Sequence, residues 1–244
     1  MEMLMIALDR TRQVAPQIAE ILRNRILRLE LAPQSVLSRA AIQMEFGVSQ
    51  TPVRDALQQL ADEGLVQIFP QSSTVVSPID PEQARQAHFL RSAIEIEAIQ
   101  KIAAAPDPDL IQRLRSIIAK QARCCEAEDF ECFDDEDRRF HKALYEAADI
   151  SMLWPIVRRH AVHIDRLRRL NLPRPGKMQS VLTDHIAIVD AVETEDPEAA
   201  ASALRKHLSG TIALIATMAS ENPGFVSTVS RTARATMSSQ GIES

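Results

Sequence analysis

Aromatic residues make up only 4% of the 244 residues. That is too little for an aromatic-rich sheet and favours helix packing by Ala, Leu, Ile and Val. Long apolar runs are also missing. None approaches the roughly 18 residues that span a bilayer, and MEMLMIAL is too short and too acidic for a secretion signal. The expectation is a cytoplasmic chain with no membrane partner. Cysteine is scarce: Cys124, Cys125 and Cys132 form an odd set within one helical segment. They support neither a disulfide framework nor a cysteine zinc site, so ordinary reduced thiols are expected. Strong positive charge is absent as well. The net charge is −5, and residues 1–79 hold seven Arg and no Lys against eight Asp plus Glu. Charge alone therefore does not argue for nucleic acid, and any such surface must be local. Arg23, Arg25 and Arg28 are one candidate, although such a cluster is more simply a solvated helix face.

The length suits a small domain followed by a larger one. Ile18, Ile21, Leu22, Ile26 and Leu29 recur at helical spacing after Pro16, and Leu31-Ala-Pro33 ends that helix. Ser38 can cap a short helix carrying Ala41, Ile42 and Phe46. Gly47 supplies a tight turn before Ser49 caps the next helix. Beyond Gly64, residues 65–69 and 74–77 read as a two-stranded wing around a turn at 70–73. This is a winged helix-turn-helix plan over residues 1–79, with a linker at 78–81. From residue 82 to 220 the periodicity is helical throughout. Six helices are expected, at about 82–105, 109–127, 129–148, 152–170, 177–194 and 198–220, forming an antiparallel all-α bundle. Residues 221–244 are polar and aperiodic and are expected to be a disordered tail. The fold class is mainly α.

In GVSQTPVRDALQQL, residues 47–60, Val53, Ala56, Leu57 and Leu60 face a core. Gln50, Thr51, Arg54, Asp55 and Gln58 face outward, and Pro52 fits the first turn, where its missing N–H costs nothing. A plain capped helix would look much the same. A recognition helix would use these groups differently: its first turn enters the major groove, hydroxyls and Arg54 hold phosphates, and Gln50 can pair with adenine.

Residues 14–79 resemble the DNA-binding domain of the GntR family of bacterial transcription regulators. The match rests on Ile26-Leu-Arg-Leu-Glu-Leu-Ala-Pro33, Leu37-Ser38, Gly47-Val-Ser-Gln-Thr-Pro-Val-Arg-Asp-Ala-Leu57, Leu60 and Glu63-Gly-Leu-Val66. The resemblance implies DNA contacts at or near Ser49, Thr51, Pro52 and Arg54, and with them Ser38, Arg39, Gln50 and Ser73. Three positions depart from the family pattern. Gln50 replaces an arginine that usually reads guanine, Gln34 follows Pro33 where glycine is usual, and Ser73 stands where the wing normally has glycine.

In the second part, Phe133, Asp137, Phe140, His141 and Leu144 share one helix face, so a carboxylate sits within an apolar stripe. His185 is central to the stripe Met178, Val181, Leu182, Val189 and Val192. His207 is central to Ala200, Ala203, Leu204, Thr211 and Ile215. Spacing alone leaves two options open, satisfied core histidines or a metal site, because it does not show that the three helices converge. Arg91 lies inward with Ala84, His88, Glu95 and Ala98, either to clamp a carboxylate or to pair with Glu95. His163 also faces inward and is a second effector-pocket candidate.

This region resembles the FCD bundle of the FadR subfamily of GntR regulators, through Leu90-Arg-Ser-Ala-Ile-Glu95, Asp137-Arg-Arg-Phe-His141, Asp184-His185 and His207-Leu208. The resemblance implies a divalent metal (Zn, Ni, Mn or Fe) on Asp137, His141, His185 and His207, and a small carboxylic acid effector. It also implies a homodimer on a pseudo-palindromic double-stranded DNA operator, acting as a repressor. Two other readings stand beside it: a metal-dependent hydrolase or lyase using the Asp/His₃ set, with Asp184 or Glu95 as acid or base, and a sensor for which the metal itself is the signal.

Overall fold

The computed structural model describes residues 7–69 and 73–227. The chain divides into two compact units, one of residues 1–82 with 217–244 and one of Gln83–Ala216.

In the first unit, α1 (Val14–Leu27), α2 (Arg39–Phe46) and α3 (Gln50–Asp62) are followed by β2 (Val66–Ile68) and β3 (Thr74–Val76), with β1 (Val36–Leu37) between α1 and α2. The Ser38 hydroxyl accepts from Ala41 N–H at 3.3 Å and caps α2, while Gly47 ends it at φ 62°, a left-handed conformation that glycine adopts without a Cβ clash. The wing has three strands, not the expected two, in the order β1-β3-β2 and antiparallel throughout. The two-residue β1 is too short to show alternation in the sequence. Phe69 N–H donates to Ser73 C=O at 2.8 Å and closes the hairpin. The tip expected at 70–73 lies, but for Ser73, outside the described residues.

Ile18, Leu22 and Ile26 of α1 pack with Val53, Leu57 and Leu60 of α3, all buried. Arg23 grips Glu63 through two hydrogen bonds of 2.6 and 2.5 Å, and Arg25 bonds Glu45 at 2.6 Å. These arginines thus tie helices together and do not form a free basic patch. Gln34, at the position where the family has glycine, is left-handed at φ 68°, which explains the glycine preference.

Residues 222–227, placed in the polar tail by their composition, are paired. Ile79 N–H donates to Phe225 C=O at 2.7 Å, Ser227 N–H donates to Ile79 C=O at 2.8 Å, and the Gln34 side-chain amide donates to Gly224 C=O. Backbone pairing needs no apolar period, so composition did not reveal it. Residues 228–244 of that expected tail lie outside the described residues.

The second unit is helical. Its elements are α4 (Pro81–Ala104), α5 (Pro108–Glu126), α6 (Phe130–Ala147), a 3₁₀ turn (Ser151–Leu153), α7 (Trp154–His160), α8 (Val162–Asn171), α9 (Lys177–Glu193), α10 (Pro197–Ile212) and α11 (Ile215–Glu221), of which α4 begins and α11 ends in the first unit. Asp107, Asp129 and Asp196 cap α5, α6 and α10 by accepting backbone N–H groups. Ile99, Leu114, Phe140, Leu144, Ile188, Val192 and Leu204 lie in one core.

Two expected helices are broken. The stretch 152–170 divides at Ala161 (φ −78°, ψ −1°) into α7 and α8, and 198–220 divides after Ile212 into α10 and α11. Neither break carries a Pro or Gly to announce it. The reduced-thiol expectation also fails for one pair: Cys124 and Cys132 are joined as a disulfide across the turn between α5 and α6, with Cα atoms 5.7 Å apart, and Cys125 is free. Among the described residues no helix is long and apolar enough to cross a membrane.

Leu57→Ala should cost the winged-helix unit about 2–4 kcal/mol through lost burial and a residual cavity. Amide exchange should then accelerate in α1 and α3 and stay unchanged in α9; equal protection in wild type and variant would contradict this packing.

Candidate functional site

The apolar side of α3 is locked against α1, so its polar side is presented to solvent. Gln50, Thr51 and Arg54 are exposed, and Pro52 is partly so. Ser49 precedes the helix, but its hydroxyl makes no capping bond and is available to a ligand. Arg54 makes only 3.3 Å contacts with its neighbour Asp55. Arg39 begins α2 and reaches the Thr74 hydroxyl at 3.5 Å, beside Ser73 at the base of the wing. Ser38 is occupied as a cap. The eight residues singled out in the sequence all lie in the winged-helix unit.

In the helical unit, α6, α9 and α10 bring Asp137, His141, His185 and His207 together, with one ligand atom from each lying within 4.8 Å of all the others. His207 Nε2 is 3.1 Å from His141 Nε2 and 3.3 Å from His185 Nε2. Asp137 lies 3.7 Å from both His141 Nε2 and His185 Nε2.

The opposite ring edges explain this convergence. His141 Nδ1 donates to the Glu95 carboxylate at 2.8 Å, and His185 Nδ1 donates to Gln121 Oε1 at 2.8 Å. An acceptor at Nδ1 puts the proton there and leaves the Nε2 lone pair facing inward. Phe140 stacks on His185 with centroids 4.0 Å apart and holds the ring plane.

Burial, outweighing the pull of Asp137, pushes His185 down to about 3 and His207 well below its usual value. Both rings are therefore neutral near pH 7. Burial alone would raise the Asp137 carboxyl, but the Arg168 guanidinium at 2.5 Å, and then the three histidines, hold it well below the usual carboxylate range. Glu95 is likewise held at about 2: its complete burial is outweighed by Arg91 and His141. Three imidazoles and one carboxylate converging in a largely buried pocket fit a divalent first-row ion.

Arg91 takes up the second of its two expected roles and stands at a cavity as well. It pairs with Glu95 at 2.7 Å and also lines a narrow cavity with Asp137, Arg168, Asn171, Lys177 and His207. His163 does not line this cavity; its Nδ1 faces Arg166 at 3.0 Å. It is buried, as its helical position implied, but against Arg166 of its own helix. Sequence reasoning also missed Gln121, Arg168, Asn171 and Lys177. Gln121 carried a readable signal, a buried amide in line with Leu114 and Ile118 on α5. Nothing in Asp165-Arg-Leu-Arg-Arg169 separates Arg168 from its neighbours.

Residues 14–76 match the family described as "Bacterial regulatory proteins, gntR family", and residues 86–210 match the FCD domain. The chain belongs to the GntR family. A Streptomyces ambofaciens protein named as an uncharacterized HTH-type transcriptional regulator in an unstable DNA locus is 36% identical to this GntR-family chain over 207 residues, 85% of this chain and 87% of that protein. The HTH-type transcriptional repressor RspR of Escherichia coli is 29% identical over 90% of this chain and 96% of its own length. The solved structure of E. coli McbR/YncC superposes with a TM-score of 0.70 at 19% identity, over 84% of this chain and 98% of that one, a likeness of fold. This GntR-family chain is a DNA-binding transcription regulator and not an enzyme, so the hydrolase or lyase reading is set aside.

Gln121→Leu should remove the acceptor that orients His185 while keeping the α5 face apolar. Divalent-metal affinity should drop about 10- to 100-fold, read by competition with a chromophoric chelator; wild-type affinity in this variant would rule out the orienting role.

Proposed function

We propose that this regulator is a homodimeric repressor whose bundle binds a divalent metal on Asp137, His141, His185 and His207 and responds to a small carboxylic acid. The observation that carries the proposal is the Asp/His₃ convergence, with Glu95 and Gln121 turning two Nε2 lone pairs inward. A bound ion there would supply Lewis acidity and coordination positions for an acid's carboxylate. The chain's own groups do the remaining work. Arg91 offers a guanidinium fork to a carboxylate, and Arg168 compensates the Asp137 charge. The surrounding apolar side chains keep these interactions out of water.

On the DNA side, Arg54, Ser49 and Thr51 are assigned to phosphates and Gln50 to a base edge, with Pro52 starting the helix that carries them. Arg39, Ser38 and Ser73 flank that face. Two protomers would set two α3 helices on the half-sites of a pseudo-palindromic operator. Repression is favoured by relatives named as repressors, RspR and the gluconate operon repressor of Bacillus subtilis.

Arg54→Ala should weaken operator binding about tenfold or more and flatten its salt dependence by about one unit of slope. Fluorescence anisotropy at several salt concentrations reads both quantities, and unchanged affinity would refute the assignment. Separately, His185→Ala combined with His207→Ala should abolish bound metal in elemental analysis; stoichiometric metal in that double variant would refute the ligand set. Release of the operator by chelator alone, with no response to organic acids, would favour the metal itself as signal.

A further inference from the structure

Three cations line the bundle cavity, and two are already neutralised: Arg91 by Glu95 at 2.7 Å and Arg168 by Asp137 at 2.5 Å. Lys177 is different. No ion pair to its ammonium is found among the described residues; burial pushes its pKa down, and Asp184 and Asp137 act against that only from longer range. The chain has also made room for it. Gly210 sits inside α10, where glycine is a poor helix former, and a Cβ at that position would come within 3.3 Å of Lys177 Nζ.

Asn171 shares the cavity. It is 1% exposed, yet neither its Oδ1 nor its Nδ2 has a hydrogen-bond partner among the described residues. A buried amide that lacks both a donor and an acceptor for its own groups is costly, and native interiors rarely leave one so. The two residues are held close along the chain. Asn171 ends α8, its carbonyl accepts from Arg174 N–H at 3.1 Å, and the left-handed Gly176 turns the chain so that Lys177 opens α9.

We infer that Asn171 and Lys177 form a second polar subsite of the effector cavity, reading a hydroxyl and a distal carboxylate, so that the effector is a short hydroxylated dicarboxylic acid. This rests on the acid-responsive reading above and adds its selectivity. An amide offers one acceptor and two donors, which matches a hydroxyl that both gives and takes a hydrogen bond; a bare carboxylate would leave Oδ1 facing like charge. The ammonium, which has no close ion pair, supplies the counter-charge for a second carboxylate, the first being taken by the metal proposed on Asp137 and the three histidines.

The test uses the full chain loaded with zinc and calorimetric titration with malate, succinate and lactate. Succinate lacks the hydroxyl, and lactate lacks the second carboxylate. Wild type should favour malate over each by at least about tenfold, a hydrogen-bonding site's discrimination against an analogue lacking its partner. Asn171→Leu, close in volume, should bring malate down to succinate; Lys177→Met should bring malate down to lactate. Asn171→Ala serves as a second variant if Asn171→Leu does not fold. Unchanged preference in the variants, or a wild type that favours succinate or lactate, overturns the subsite while the acid-responsive reading stands. If none of the three acids binds, the subsite is overturned. Metal content and operator affinity, measured on the same preparation, then show whether the metal and DNA assignments survive without it.

Discussion

A carboxylate buried at 1% exposure among apolar helices is the constraint on which the helical unit depends. Asp137 loses its hydration there, and a lone buried charge would favour unfolding. Arg168 restores the balance at 2.5 Å, and the three imidazoles surround the carboxylate with polarisable nitrogen. Each group then needs a partner in turn. His141 requires the Glu95 carboxylate, Glu95 requires Arg91, and His185 requires Gln121. One buried charge thus recruits polar residues from α4, α5, α8, α9 and α10 into a single network, and a network with so many mutual dependencies has few alternative arrangements.

The winged-helix unit spends its charges in the opposite way. Arg23 and Arg25 are drawn into pairs with Glu63 and Glu45, whereas Arg54 at the start of α3 keeps only a loose, solvent-exposed contact with Asp55. Residues 1–79 are close to electrically neutral, so any affinity for a polyanion must come from local groups and not from net charge. Gln34 shows how a family departure is absorbed: it takes the left-handed conformation that glycine would favour, and its amide bonds the backbone at Gly224.

The legible parts were those governed by local period and by capping. The apolar stripes of α1, α3, α6 and α9 place their residues inward or outward as read, because 3.6 residues per turn holds within an unbroken helix. Ser38 caps α2 for the reason its type suggests, whereas Ser49 makes no such bond. The same rule missed the helix interruptions that no breaker residue announces. His163 is buried, as its helical position implied, but it faces Arg166 on its own helix and does not line the cavity with Arg91. The pairing of Cys124 with Cys132 was overlooked because an odd set of three cysteines suggested no disulfide framework, whereas the turn between α5 and α6 brings their Cα atoms to 5.7 Å.

By itself the sequence determined where the candidate residues lie: a polar helix start at residues 49–54, and four potential ligands each set in an apolar stripe. These are properties of one element at a time, and side-chain direction within an element follows from backbone geometry. Convergence belongs to several elements at once. Only the tertiary structure decided that Asp137, His141, His185 and His207 meet within 4.8 Å, that Glu95 and Gln121 set the tautomers, and that Asn171 and Lys177 share their cavity. Those outcomes depend on helix crossing angles and on a turn between α8 and α9, which no single helical period encodes.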